Sequence, residues 1–211
     1  MSTRVHNPLF ARWYSRMTEH EGAVEAEHRL RTVAGLSGRV IEVGAGNGRN
    51  FEHYPASVIQ VVAVEPEPYL RERAGRTASS APVPVTLVDA LADELPFEDA
   101  SFDAAVAALM LCTVPDPGRA LAELYRVVRP GGELRFYEHV HANRQPLRTL
   151  LEVADRSTLW PRVAGGCHPT RETFPAIAAA GFVVEDCSRF GFAPTRLMPP
   201  LPHILGRARR P

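Results

Sequence analysis

Val40-Ile41-Glu42-Val43-Gly44-Ala45-Gly46-Asn47-Gly48 decides the fold of this chain. An apolar run ends in an acid and then in three glycines at alternate positions. The run reads as a buried strand, and the glycines as a tight loop that exposes main chain. Glycine has no Cβ, so such a loop lets a nucleotide-like ligand lie against the backbone.

Outward from that loop, strands and helices alternate. Residues 6–35 read as helical, with Leu9, Phe10, Trp13, Tyr14 and Met17 at the three- and four-residue spacing of one apolar face. Strands are expected at 39–43, 58–64, 84–88, 102–111 and 133–140, and helices beginning at 47–53 and over 67–76 and 117–128. Arg129-Pro130-Gly131-Gly132 stops the helix over 117–128, because proline cannot continue the ladder and glycine permits the reversal. Helical segments at 145–160 and 171–180 precede two strands at 182–190 and 201–209. The alternation predicts a Rossmann-like, doubly wound α/β sheet of seven strands. It is mostly parallel, and an antiparallel C-terminal hairpin lies at one edge. The expected organisation is one domain over 1–211. It comprises an N-terminal helical lid (1–36), a cofactor-binding core (37–141), and substrate-side helices with the hairpin (142–211).

The composition sets bounds. A chain of 211 residues with 45% hydrophobic and 23% charged residues suits one soluble globular domain. The formal net charge of zero argues against a dedicated nucleic-acid surface. No stretch reaches the ~18 consecutive apolar residues of a membrane helix, and the charged N-terminus lacks the apolar core of a signal peptide. Cys112, Cys167 and Cys187 are spaced neither as a disulfide framework nor as a zinc motif, so no metal is expected and a cytoplasmic location is the default. All 24 basic residues are arginine. That suggests a bacterial genome rich in G and C, and it excludes Schiff-base, P-loop and lysine-base chemistry.

Two cofactor classes compete for the glycine loop. A dinucleotide fold wants G-x-G-x-x-G, but the third position here is Arg49. The pattern Glu42-x-Gly44-x-Gly46-x-Gly48 resembles instead the E/D-x-G-x-G-x-G motif of class I S-adenosylmethionine-dependent methyltransferases. Glu65, at the end of the second strand, can accept both ribose hydroxyls of either cofactor. Leu95-Pro96-Phe97-Glu98-Asp99-Ala100-Ser101-Phe102-Asp103 resembles the LPF-x-D-x-SFD segment of the small-molecule methyltransferase subfamily, and Arg126-Val127-Val128-Arg129-Pro130-Gly131-Gly132 its R-V-L-R-P-G-G turn.

The resemblance implies S-adenosylmethionine as cofactor and S-adenosylhomocysteine as product. It implies a cofactor site built from Glu42, Gly44, Ala45, Gly46, Gly48, Glu65, Pro66, Ala92, Asp93 and Leu109. Glu42 then takes the acid's place facing the ammonium end, often through water. Ala92-Asp93 covers the adenine, with Asp89 as runner-up for that contact.

A narrower resemblance runs from about residue 38 to the C-terminus. Leu109-Met110-Leu111-Cys112-Thr113-Val114, Glu138-His139-Val140, Gly166-Cys167-His168-Pro169-Thr170-Arg171-Glu172 and Pro202-His203-Ile204-Leu205-Gly206 look like segments of the methyltransferase-like thiol S-methyltransferases. His168 stands where those enzymes have Asn, and their N-terminal membrane helix has no counterpart in this sequence. The implied partner is a small-molecule acceptor, a thiol or hydroxyl by preference, with no nucleic acid and no membrane, in a monomer or dimer.

His139 is the candidate general base, since an imidazole can take a proton from either acceptor. Tyr14, Cys167, His168 and Arg171 are the candidate substrate contacts. Each has a plainer reading: Cys112 and Cys167 as small core residues, His168 and Arg171 as loop fasteners, and Tyr14 as core packing. Two other readings stay open, an NAD-dependent oxidoreductase and a non-catalytic binding protein with this fold.

Overall fold

A computed structural model describes residues 7–19, 22–157, 160, 164–193 and 200–211. Seven strands form one sheet in the order β3-β2-β1-β4-β5-β7-β6. They are β1 (Gly38–Val43), β2 (Val58–Val64), β3 (Val85–Val88), β4 (Phe102–Ala108), β5 (Val128–His139), β6 (Val183–Phe192) and β7 (Leu201–Arg209). The first five are parallel. β7 runs antiparallel between β5 and β6 and closes the expected hairpin.

Burial on both faces explains the apolar runs in the central strands. Ile41 and Val43, Val62 and Val64, and Ala105 and Ala107 face one core cluster. Val40, Val61 and Ala63, and Ala104 and Val106 face the other. This period of two is what a parallel sheet covered on both sides demands. Helices α4 (Pro117–Val127) and α6 (Thr173–Ala179) cover the first face through Leu121, Leu124, Val127 and Ile177. Helices α2 (Ala23–Val33) and α3 (Pro68–Ala78) cover the second through Val33 and Ala74. Helix α1 (Pro8–Thr18) precedes them, and α5 (Leu147–Arg156) follows β5.

One local device starts three helices. Asn7, Glu67 and Asp116 each accept a backbone N–H of the first turn, and a proline occupies the first helical position. That satisfies a donor the helix leaves orphaned and spares one that proline does not have.

Four expectations need correction. Residues 47–53 form turns and one 3-10 turn at Phe51–His53 rather than an α-helix. Gly48 has a φ of +81°, and the i→i+3 bonds from Gly48, Phe51 and His53 close tighter rings. The helix expected over 6–35 is two, α1 and α2. β4 ends at Ala108, because Leu109 turns into the left-handed region at φ +55°. The apolar stripe of α1 is buried only in part: Phe10 and Tyr14 are half-buried, Leu9, Trp13 and Met17 are 78%, 54% and 45% exposed, and Ala11, Ser15 and Thr18 form the packed face. Small residues there let the helix backbone lie close to the glycine loop, and Asn47 Nδ2 donates to Thr18 Oγ1 at 2.9 Å.

Candidate active site

The parallel strands β1, β2, β4 and β5 all end at one edge of the sheet. In such sheets ligands bind beyond the carboxyl ends of the strands. The loop after β1 rests on β2: Gly44 and Ala45 both donate to the Val64 carbonyl, at 2.9 and 3.1 Å. Gly44, Gly46 and Gly48 have φ values of +74°, +58° and +81°, which side chains rarely tolerate. A Cβ on Gly44 would come within 2.5 Å of Met110, and one on Gly48 within 2.5 Å of the Phe51 ring. A Cβ on Gly46 would touch only the Tyr14 ring, at 3.5 Å, so α1 lies over the middle of the loop.

Two buried acids hold this loop differently. Glu65 Oε2 accepts the Gly46 N–H at 2.8 Å, and its Oε1 accepts the Glu67 N–H at 2.9 Å. Burial pushes its pKa up, while those two N–H groups oppose the shift. A carboxylate has about four lone-pair sites, so capacity remains for two hydroxyl donors. Glu42 lies beneath the loop, with Oε1 accepting from Asn50 Nδ2 at 2.8 Å and Oε2 from the Tyr54 hydroxyl at 2.7 Å. Asn50 in turn accepts from Arg29 at 3.1 Å. Burial raises the Glu42 pKa to about 7 despite these bonds. The geometry gives Glu42 a scaffold of side chains that its sequence pattern does not announce.

Beyond β3, an open cavity of about 450 Å³ is lined by Asp89, Ala90, Leu91, Glu94, Leu95 and Pro96. Ala92 and Asp93 lie in the turn closed by the Leu91–Glu94 bridge, and Asp89 Oδ2 accepts from Arg71 at 3.1 Å. The segment that follows is clamped from α4. Arg126 donates to the carbonyls of Leu95 and Phe97 at 3.0 and 2.7 Å and to Asp99 at 2.8 Å. The two motifs at 95–103 and 126–132 therefore grip each other.

A second cluster is built where three chain segments meet. Leu109 donates to the Tyr137 carbonyl, and Glu138 then accepts the next three N–H groups, of Met110, Leu111 and Cys112, at 2.9, 2.8 and 3.1 Å. Burial raises Glu138 to about 7. His168 N–H donates to the Cys112 carbonyl at 2.8 Å, and Arg171 donates to the Leu111 carbonyl. Asp155 on α5 holds His168 Nδ1 at 2.6 Å and also accepts from Thr170. These contacts bring the Cys112 and Cys167 sulfurs to 3.8 and 3.6 Å from the Nδ1 of His139. The hydrogen bond with Cys112 lowers the Cys167 pKa and raises that of Cys112. Behind His139 lies the buried His203, with ring centroids 4.2 Å apart. Burial keeps His203 neutral, with its pKa at about 3.

Of the substrate candidates, Cys167 meets His139, while His168 and Arg171 make the bonds that fasten the loop. His203 was missed by sequence reasoning, although its place opposite His139 follows from the β5–β7 register.

Residues 41–136 match the family model described as a methyltransferase domain. Thiol S-methyltransferase TMT1B of Mus musculus is 34% identical over 205 residues, which span 95% of this chain and 82% of that protein. This chain belongs to the class I S-adenosylmethionine-dependent methyltransferases.

A demethylmenaquinone methyltransferase of Renibacterium salmoninarum is 32% identical over 66% of the chain and 52% of its own length. An S-adenosylmethionine-dependent methyltransferase of Thermotoga maritima shares the fold, with a TM-score of 0.65 at 23% identity, over 96% of this chain and 95% of that one. S-adenosylmethionine is thus the cofactor of this methyltransferase, and the oxidoreductase and non-catalytic readings fall away. The cradle fits it: at Gly46 a Cβ would meet nothing nearer than the Tyr14 ring at 3.5 Å, and a buried carboxylate faces the loop. Among the described residues no helix is long and apolar enough to cross a membrane.

Proposed function

We propose that this methyltransferase places the methyl group on the sulfur of a small thiol, held where the loops after β4 and β5 meet the 164–171 loop. The observation that carries the reading is the convergence of Cys112, His139 and Cys167 at the sheet edge where the glycine loop opens. The similarity to a thiol S-methyltransferase, running through the segments that build this cluster, supports it. Three free cysteines and a lysine-free composition suit a reducing bacterial cytoplasm.

When bound, S-adenosylmethionine supplies an activated methyl group that carries its own leaving group. The chain then has three tasks: hold the cofactor, orient the acceptor, and manage the acceptor's proton. Gly44, Ala45, Gly46 and Gly48 offer main chain, Glu65 its remaining lone pairs to the ribose, and Pro66 the turn beyond it. Leu109 and Met110 line the junction with the acceptor side, and the loop of Asp89, Ala92 and Asp93 lies at the adenine end. Tyr14 closes the loop from above, while His168 and Arg171 shape the acceptor pocket. His139 and the two cysteines frame the place where the acceptor sulfur loses its proton, since the His139 Nδ1 faces both sulfurs.

Initial rates of S-adenosylhomocysteine release across small thiols, phenols and amines test the reading. Thiols should turn over at least tenfold faster than phenols or amines of similar size. Equal or faster phenol turnover overturns the assignment.

A further inference from the structure

The spacing of the cysteines in the sequence shows no zinc motif, yet the fold gathers two of them around an imidazole. We infer that Cys112, His139 and Cys167 form a zinc site that holds Zn²⁺ through sulfur, nitrogen and sulfur. The three donor atoms lie within 4.8 Å of one another, with sulfur-to-nitrogen distances of 3.8 and 3.6 Å. Tetrahedral zinc, with bonds of roughly 2.3 Å to sulfur and 2.0 Å to nitrogen, sets donor-to-donor edges of roughly 3.5 to 3.8 Å. Only small side-chain shifts separate the observed triangle from one face of that tetrahedron. Among the described residues this is the one such cluster of three.

Donor chemistry selects the ion. Two thiolates and an imidazole suit borderline-soft zinc and disfavour magnesium or calcium, which want oxygen. Charge agrees: a dication held by two thiolates adds no net charge to a pocket where both cysteines are buried. The surroundings are built to hold the donors still. Three N–H bonds to Glu138 fix the loop carrying Cys112, and the His168 N–H ties the Cys167 loop to it. His203 backs the ligand imidazole.

Three protein ligands leave a fourth position, the pattern of a catalytic rather than a structural zinc. Resting on the thiol-acceptor reading, that position takes the acceptor sulfur. On binding, the S–H bond breaks, its proton passes to water, and the sulfur lone pair goes to the metal. The acceptor waits as a thiolate without any strong protein base. His139 then acts as a ligand, which accounts for the Nδ1 orientation.

The test is cobalt substitution in the whole protein, stripped of metal and reduced with a phosphine. One equivalent of Co²⁺ should produce near-ultraviolet thiolate charge-transfer bands and the strong visible bands of four-coordinate cobalt, and Zn²⁺ should bleach both. Cys112→Ser, Cys167→Ser and His139→Ala should each weaken Co²⁺ at least about tenfold. Circular dichroism and S-adenosylmethionine affinity report whether each variant is folded. His139→Ala, at the more exposed ligand, is the arm least dependent on core packing. Absence of the bands in reduced, folded protein overturns the site, as do bands that persist unchanged in the folded variants. Addition of a small thiol should shift the charge-transfer bands. Bands that form but do not respond to any thiol leave the zinc site standing and overturn the thiol-acceptor reading instead.

Discussion

Gly46 donates its N–H to the buried carboxylate of Glu65 at 2.8 Å, so the acid at the end of β2 and the loop after β1 form one unit. Every cofactor contact assigned to either residue depends on both. With the cofactor placed as proposed, Glu65→Ala removes a ribose acceptor and also releases the loop. It should weaken S-adenosylmethionine by about 1.5–3 kcal/mol. Glu65→Gln keeps an acceptor for the loop and should lose less. Calorimetric titration reads both, and unchanged affinity in the alanine variant would remove the assignment.

The three glycines should not respond alike. Gly48→Ala places a methyl 2.5 Å from the Phe51 ring at a φ of +81°. A cost of about 2–4 kcal/mol in stability is expected from strain and overpacking. Gly46→Ala meets only an ordinary contact with Tyr14, at 3.5 Å, so its stability cost should stay near 1 kcal/mol. Its larger effect should fall on cofactor affinity. Urea denaturation and calorimetry separate the two variants, and equal stability losses would contradict the packing account.

Arg126 joins two motifs through four partners: the Leu95 and Phe97 carbonyls, Asp99 and Glu123. Arg126→Ala should lower stability by about 2 kcal/mol and weaken the cofactor through a loosened adenine-side loop. Arg126→Lys should rescue little, because an ammonium cannot span the fork of a guanidinium. Full rescue by lysine would reduce the clamp to simple charge.

Glu42 links stability to pH. Its folded pKa of about 7 lies above the ordinary 4.5, so the native state binds the extra proton between those values. The stabilisation is complete below the unfolded pKa and is lost as pH rises through the folded one. The total is on the order of 3 kcal/mol. Glu42→Gln should lack this component, so its stability relative to the parent should rise across that window. Denaturation from pH 5 to 8 checks the slope, and parallel profiles would show that Glu42 titrates normally.

The loop after β1 and the segments around it were legible because their demands fall on the backbone. Alternate glycines, an acid ending β2 and the two motifs at 95–103 and 126–132 each leave a local pattern. The cluster of Cys112, His139 and Cys167 was not, because the two cysteines meet only through bonds between loops, such as His168 N–H to the Cys112 carbonyl. No periodicity encodes such a contact. The network of Arg29, Asn50, Glu42 and Tyr54 was hidden for the same reason. Helix α1 is legible only in part: its apolar period is real and Phe10 and Tyr14 are half-buried, but Ala11, Ser15 and Thr18 are the positions packed most deeply. The stripe of Leu9, Trp13 and Met17 faces outward.

A single acceptor carrying both nucleophiles tests the central claim most directly. A mercaptophenol offered with methyl-labelled S-adenosylmethionine gives a product whose labelled carbon can be located by NMR. The account predicts the label on sulfur, accumulating in step with S-adenosylhomocysteine. Label on oxygen alone, or cofactor turnover without labelled thioether, would contradict it.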